Sequence, residues 1–142
     1  MEKIAVIYWS GTGNTEMMAQ DVAAGAKAAG ADVALLTVSE ISAKEAASYG
    51  KLALGCPAMG AEVLEEMEFD PFFTELEGSL MGKKVVLFGS YGWGDGQWMR
   101  DWQARADNAG ATLIVEPVLA HETPDAEALA ACKAAGEALA KG

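Results

Sequence analysis

Apolar runs alternate with amphipathic stretches along this chain, and the alternation predicts strands and helices in turn. Residues 4–9 are almost entirely apolar, which is typical of a strand buried on both faces. Similar runs predict strands at residues 31–38, 51–56, 84–90 and 111–118. Helical spacing predicts helices at residues 15–29, 42–47 and 97–109, a helix whose first turns span 71–76, and a last helix that begins after Thr123-Pro124-Asp125.

The order of these elements predicts an α/β fold. Strands that alternate with helices over short links form a parallel sheet covered by helices on both faces. Because crossovers between parallel strands are right-handed, few arrangements remain, and the common small one has five strands in the order 2-1-3-4-5. Its ligand crevice lies outside the carboxyl ends of strands one, three and four. We therefore expect one doubly wound domain over residues 1–142, built as a three-layer sandwich.

Composition narrows the class of partner. The chain is 51% hydrophobic and 22% charged, with a formal net charge of −11. Such a surface repels nucleic acid and anionic membranes and favours partners with a basic face. No apolar run approaches the ~20 residues of a membrane span, and because a strand is predicted from residue 4 we expect no secretory leader. Cys56 and Cys132 are too few for a disulfide framework, so we expect small buried thiols in a cytoplasmic protein.

The loop after the first strand has the composition of an anion site. Backbone N–H groups at a helix start carry a partial positive charge and can hold a phosphate. Glycines let the backbone approach the anion, and hydroxyl and amide side chains add donors. This first loop consists of Ser10, Gly11, Thr12, Gly13, Asn14 and Thr15, with no Lys or Arg in or beside it. Any phosphate here is held by neutral donors; the alternative is a glycine-rich turn that binds nothing.

Two common phosphate-binding motifs do not fit the first loop. A nucleoside-triphosphate loop needs Gly-Lys-Ser/Thr, and no lysine is present. A dinucleotide fingerprint needs a third glycine for close helix–strand packing, where Glu16 stands in this chain. A monophosphate ester remains as the predicted ligand group.

Two more loops are expected at the same edge of the sheet. The second loop contains Pro57, Ala58, Met59, Gly60, Ala61 and Glu62. The third loop, residues 90–96, begins with Ser90, Tyr91, Gly92, Trp93 and Gly94. Glycines around exposed aromatics suggest a backbone close to a flat ligand, with Trp93 covering one face. A ligand with a phosphate at one end and a flat aromatic system at the other fits all three loops, which predicts FMN.

The same residues resemble those of short-chain, clostridial-type flavodoxins along nearly the whole chain. The resemblance rests on YWSGTGNTE at residues 8–16, GCPAMG at 55–60 and LFGSYGWGDG at 87–96. It implies a flavodoxin-like fold with non-covalently bound FMN. The first loop would then hold the phosphate, and Met59 and Trp93 would flank the isoalloxazine ring. The Glu62 side chain would accept a hydrogen bond from the ring N3–H, and backbone groups of the other two loops would meet the pyrimidine edge.

The resemblance also implies a monomeric, low-potential one-electron carrier rather than an enzyme. Such a protein shuttles electrons between redox enzymes while FMN cycles between semiquinone and hydroquinone, and the Gly60–Ala61 peptide turns its carbonyl toward N5–H. Its expected partners are redox proteins with basic faces. At ~10 Å from the ring, five carboxylates together would lower the second reduction potential by roughly 100 mV, less in salt. They are Glu62, Glu65, Glu66, Glu68 and Asp70.

Other functions are weighed against electron transfer. An FMN-dependent reductase on the same scaffold is the main alternative, but it needs a substrate pocket over the ring, and no general acid or base stands out. A signalling receiver domain is rejected, because it needs acidic residues where Trp9 and Ser10 stand and a phosphorylatable Asp where Cys56 stands. A cofactor-free interaction module stays open.

Several other residues have simpler expected roles. Trp98 and Trp102 lie four apart on a helix, and this spacing predicts a packing stripe. Trp9 either shields the phosphate region of the ligand or is simply buried. His121 is expected to be a surface histidine. The acidic run at residues 62–70 is either a solvated face or a docking surface.

Overall fold

A parallel sheet lies between two layers of helices. The computed structural model of the chain describes residues 3–60, 62–92 and 94–142. The strands are β1 (Lys3–Tyr8), β2 (Asp32–Thr37), β3 (Lys51–Gly55), β4 (Lys84–Tyr91), β5 (Thr112–Leu113) and β6 (Val118–His121). The helices are α1 (Asn14–Ala28), α2 (Ala43–Ala46), α3 (Phe69–Glu77), α4 (Gln97–Asn108) and α5 (Ala126–Lys141), with a 3₁₀ turn at Val38–Glu40. Within the described ranges, no helix combines the length and apolar character needed to cross a membrane.

The sheet has the predicted order. Its strands run β2-β1-β3-β4-β5 with parallel pairing throughout, and β6 pairs with β4. Tyr8 pairs with Gly55 and Gly55 with Phe88, so β1, β3 and β4 reach the same edge in register. Strand β4 continues to Tyr91, which pairs with His121 at the end of β6. The loops that follow these strands therefore meet at one edge.

The fifth predicted strand, over residues 111–118, is interrupted. The amide of Ile114 still donates to the Val85 carbonyl at 3.2 Å, but regular pairing stops at Leu113 and resumes at Val118. Pro117 lies at the break, and a proline has no N–H with which to continue a ladder. The resumed strand ends three residues later than predicted, which carries His121 to the edge where the loops converge.

The two faces of the sheet bury separate sets of side chains. Ala5 and Ile7 of β1 pack toward α2, α3 and α4, whereas Ile4 and Val6 pack toward α1 and α5. The alternation follows from the two-residue period of a strand. On the first side, Trp102 makes edge-on contacts with two phenylalanine rings of α3, at centroid distances of 5.4 and 5.9 Å. Trp102 and the neighbouring Trp98 are each 1% exposed, which confirms the predicted packing stripe.

Helices α1 and α5 cross at two glycines. A Cβ atom added at Gly136 would overlap the carbonyl oxygen of Val22, and one added at Gly25 would overlap the carbonyl oxygen of Lys133. The two backbones thus approach more closely than side chains would allow. This contact lets Met18 and Cys132 be fully buried against the sheet.

We expect Gly136→Ala to lower the free energy of unfolding by about 1–2 kcal/mol, because the new Cβ meets a backbone carbonyl that cannot rotate away. The loss occurs although alanine forms helices better than glycine by ~1 kcal/mol. Thermal denaturation should show a midpoint lower by about 3–6 °C. Ala134→Gly, at an exposed position of α5, is the control for helix propensity alone. A Gly136→Ala variant more stable than the parent would contradict the close crossing.

Candidate functional site

A cavity of about 360 Å³ opens at the carboxyl ends of β1, β3 and β4. This is the place where a doubly wound sheet with this strand order binds its ligands. Its lining comes from all three predicted loops and from one further segment: Trp9, Gly11, Thr12, Asn14, Pro57, Ala58, Met59, Ser90, Tyr91, Gly92, Glu122 and Thr123.

Hydrogen bonds that extend the sheet fix where the loops begin. The Trp9 amide donates to the Gly55 carbonyl at 3.0 Å, and the Ala58 amide donates to the Ser90 carbonyl at 3.0 Å. These bonds continue the β1–β3 and β3–β4 ladders past the last paired residues. The cavity walls are therefore anchored to the sheet rather than left to the loops alone.

The first loop is organised by the Ser10 hydroxyl. Its oxygen accepts the amide N–H groups of Gly13 at 3.1 Å and Glu16 at 3.3 Å. Gly13 precedes α1 with a φ of 94°, in the left-handed region that favours glycine. Ser10 thus shapes the start of the helix, and neither Ser10 nor Gly13 lines the cavity.

The other polar residues of the first loop divide between the cavity and the interior. Thr12 and Asn14 line the cavity, and the Asn14 amide lies 3.5 Å from the Thr12 hydroxyl oxygen. Thr15 is 1% exposed and its hydroxyl lies 3.2 Å from that of Ser90. This buried pair joins the first loop to the third. Thr15 is therefore placed to support the cavity wall from behind.

Trp9 lies between the first loop and the acidic segment before α3. Its ring is packed over Gly11, where an added Cβ would be 2.9 Å from the ring. Its Nε1–H donates to the Glu68 carboxylate at 3.2 Å. Trp9 also lines the cavity and is half-buried, so the ring forms part of the wall beside the first loop.

The second loop is closed by a tight turn. Met59 and Val63 exchange two backbone hydrogen bonds, at 2.8 and 3.1 Å. Within the turn, Gly60 has a φ of 41° and Glu62 a φ of 56°. Pro57, Ala58 and Met59 line the cavity, whereas Gly60 and Glu62 do not. Ala61 lies outside the described residues.

Glu62 connects the second loop to the third. Its carboxylate accepts the Gln97 amide N–H at 3.2 Å, where the partial positive charge of the α4 N-terminus favours an anion. The same carboxylate lies against Gly94, and a Cβ at that position would overlap it. Gly94 is therefore required for close approach, while Trp93 lies outside the described residues.

The acidic run does not behave as one group of charges. Glu65 is 5% exposed, and its carboxylate accepts the amides of Met67, Glu68 and Phe69, each at 2.8 Å. Asp70 pairs with Arg105 at 3.2 Å. The solvated face and the docking surface are both wrong for Glu65, because its charge is used to begin α3. The charges of Glu65 and Asp70 are compensated locally.

Both cysteines are buried core residues, as expected. Burial raises the pKa of the Cys56 thiol far above its ordinary value, and burial, reinforced by Asp21, raises the pKa of Cys132 to about 12. Thiols that hold their protons so firmly are poor nucleophiles. In the described part of the chain, no cluster of three or more His, Cys, Asp or Glu residues is arranged to hold a metal ion.

A fourth segment lines the site that the sequence analysis did not predict. Glu122 and Thr123 follow β6 and line the cavity, and the Glu122 amide donates to the Tyr91 carbonyl at 2.7 Å. The signal for it was the strand order itself, since the strand beside β4 also delivers its carboxyl end to this edge. Predicting that strand to end at residue 118 hid the connection.

Comparison with known proteins identifies the family to which the chain belongs. The sequence model of the family described as Flavodoxin matches residues 6–136. The chain belongs to the flavodoxin family. The flavodoxin of Megasphaera elsdenii is 49% identical over 138 residues, covering 97% of this chain and 98% of that one. The flavodoxin of Clostridium beijerinckii is 49% identical over 120 residues, covering 84% and 87%.

The fold agrees with a solved structure of the same family. The solution structure of two-electron reduced Megasphaera elsdenii flavodoxin matches with a TM-score of 0.86, over 98% of this chain and 99% of that one. Membership in the family makes the chain an FMN-binding electron carrier rather than an enzyme, which confirms the expectation drawn from the resemblance. The reductase alternative is not favoured.

The residues at the site fit FMN. One part of the lining offers hydroxyl and amide donors, from Thr12 and Asn14 at the start of α1. Another part is apolar and aromatic, from Met59 and Tyr91 among others. Among the described lining residues, Glu122 alone is charged, so the donors available to a phosphate are neutral, as the sequence indicates.

Proposed function

We propose that this flavodoxin is a low-potential carrier of single electrons and that FMN occupies the 360 Å³ cavity. The observation that carries the proposal is the division of the cavity into a donor-rich part at a helix N-terminus and an apolar, aromatic part. A phosphate ester joined to a flat ring system needs both. Bound FMN supplies one-electron oxidation and reduction chemistry.

The proposed FMN-binding residues are those of the three predicted loops, with three additions. They span residues 10–15, 57–62 and 90–94, extended by Trp9, Glu122 and Thr123. Thr12, Asn14 and the first amides of α1 would hold the phosphate. Ser10, Gly13 and Thr15 act on it indirectly, because their contacts shape the loop and tie it to Ser90.

The ring system would lie between the second and third loops. Met59 and Tyr91 would exclude water from it, and Glu62 holds the two loops together through Gln97 and Gly94. The assignments of Ala61 and Trp93 rest on the sequence and stay predictions. A net charge of −11 disfavours adding negative charge to the ring, which supports a low potential.

The proposed partners are redox proteins that present a basic face, and the carrier itself is proposed to act as a monomer in the cytoplasm. Two exposed carboxylates lie at the site, since Glu122 lines the cavity and Glu68 binds Trp9 in its wall. Glu66 and Met67, which precede Glu68, are also exposed, Met67 to 84%. Opposite charges on two surfaces steer them into contact at rates that fall with added salt. Two free, buried thiols suit a reducing compartment.

Stepwise reduction of the FMN-loaded protein tests this function. We expect two resolved one-electron steps, with a paramagnetic resonance signal that is largest after one electron has been added. We also expect the protein alone to oxidise essentially no NADH in steady state, because an electron carrier needs a partner enzyme. A single two-electron step together with rapid NADH oxidation would favour the reductase and contradict the proposal.

A further inference from the structure

His121 lies at the end of β6 with its imidazole directed at the third loop. Its Nε2 is 3.0 Å from the carbonyl oxygen of Gly92. A carbonyl oxygen only accepts, so Nε2 carries the proton and donates this bond. The imidazole also contacts the Tyr91 ring, with centroids 5.1 Å apart. The two residues that His121 contacts both line the proposed FMN cavity.

The third loop needs such a restraint. Gly92, Gly94 and Gly96 give its backbone wide conformational freedom, and ordering glycines is entropically expensive. A Cβ placed at Gly92 would have no atom within 4 Å, so this side of the residue faces open space. Its carbonyl oxygen accepts a hydrogen bond from the His121 side chain.

The ion pair beside this hydrogen bond adds little to the arrangement. His121 Nε2 is 3.8 Å from the Glu122 carboxylate, but these side chains are 60% and 67% exposed. An ion pair so open to water contributes little. The backbone of Glu122 adds a firmer link, since its amide donates to the Tyr91 carbonyl at 2.7 Å. Three contacts therefore join the end of β6 to Tyr91 and Gly92: the His121 hydrogen bond, the His121 ring contact and the Glu122 amide hydrogen bond.

We propose that His121 is a positioning residue that holds the Tyr91–Gly92 wall in the conformation that binds flavin. The inference rests on the proposed function, because it assigns that wall to the flavin site. A loop ordered before the ligand arrives saves the ligand the entropy of ordering it. Loss of the His121 contacts should therefore weaken FMN binding without any change in a residue of the cavity wall.

Three substitutions separate the contacts. His121→Ala removes both, His121→Phe keeps a ring without a donor, and His121→Gln keeps an N–H donor without a ring. We expect His121→Ala to weaken FMN affinity about tenfold, measured by quenching of flavin fluorescence. His121→Gln should recover most of this loss and His121→Phe little of it. Glu127→Ala, which removes an exposed charge from the neighbouring helix α5, should leave FMN affinity unchanged.

Hydrogen exchange of the FMN-free protein supplies a readout independent of the cofactor. Segment 91–96 should exchange about tenfold faster in His121→Ala and His121→Phe than in the parent and His121→Gln. Unchanged affinity in His121→Ala overturns the inference, as does weaker affinity with unchanged exchange in this segment. Rescue by Phe but not by Gln also overturns it. If the parent protein itself binds no FMN, the proposed function fails, while exchange still decides the role of His121.

Discussion

Replacing Glu65 with alanine is expected to lower the free energy of unfolding by about 2–3 kcal/mol, since three charge-assisted hydrogen bonds are lost together. The Glu65 carboxylate accepts the amides of Met67, Glu68 and Phe69, each at 2.8 Å, and its own carbonyl accepts the Asp70 amide at 2.8 Å. The Phe69 and Asp70 amides are the first donors of α3, which the helix cannot satisfy internally, and the Met67 and Glu68 amides belong to the turn that leads into it. Water would replace part of the loss, because Met67 and Glu68 are exposed.

Thermal and denaturant unfolding would measure the effect, with a midpoint lower by about 6–9 °C for Glu65→Ala. Glu65→Gln keeps one carbonyl oxygen but loses the charge and the second acceptor, so it should fall between the parent and alanine. Glu66→Ala is the matched control: its side chain is exposed, and surface substitutions of this kind usually stay within ~0.5 kcal/mol. Equal stabilities for Glu65→Ala and Glu66→Ala would contradict the capping role.

The architecture was predictable because buried parallel strands leave a strong mark in the sequence. A strand covered on both faces must be apolar at nearly every position, and residues 4–9 and 51–56 are of this kind. The observed strand Lys3–Tyr8 is shifted by one residue at each end, and Lys51–Gly55 is one residue shorter than predicted. The strand beside β4 carries the weaker mark of a sheet edge, and Pro117 divides it. That division moved its end to His121, beyond the prediction.

The site was predictable as far as topology and local composition reach. Glycines and hydroxyls after β1 and aromatics after β4 have to meet once the strand order is known, and Thr12, Met59 and Tyr91 do line one cavity. Pairing between side chains far apart in sequence leaves no such mark. Trp9 with Glu68, and Arg105 with Asp70, are contacts that only the folded chain defines.

Contacts that only the folded chain defines also explain why the sequence analysis treated the carboxylates of the acidic run alike. In sequence, Glu65 and Glu66 are equivalent neighbours in an acidic run, and a count of charges treats them alike. In the fold, one is 5% exposed and bound by three amides, and the other is exposed. Because Glu65 follows the turn closed by Met59 and Val63, its direction depends on a loop conformation that composition does not determine. An argument from the number of charges alone therefore overestimates how far the acidic run lowers the second reduction potential.

Riboflavin, which lacks the phosphate, is expected to bind about 1000-fold more weakly than FMN, because three charge-assisted hydrogen bonds of at least ~1.5 kcal/mol each are absent. The donors would be the Thr12 hydroxyl, the Asn14 side chain and the Thr15 backbone amide in the first turn of α1. Fluorescence quenching measures both ligands under the same conditions. Thr12→Val removes one donor at constant shape, so it should weaken FMN binding about tenfold and leave riboflavin binding unchanged.

The salt dependence of FMN association distinguishes a phosphate site made of neutral donors from one that contains a Lys or Arg. The chain carries a formal charge of −11, and among the described residues that line the cavity Glu122 alone is charged. The approach of a dianionic phosphate is then opposed by the protein field, and added salt screens that repulsion. FMN should therefore associate faster as ionic strength rises, whereas riboflavin should be indifferent. Slower FMN association in salt would reveal an attracting Lys or Arg, and equal affinity for the two ligands would remove the first loop from the site.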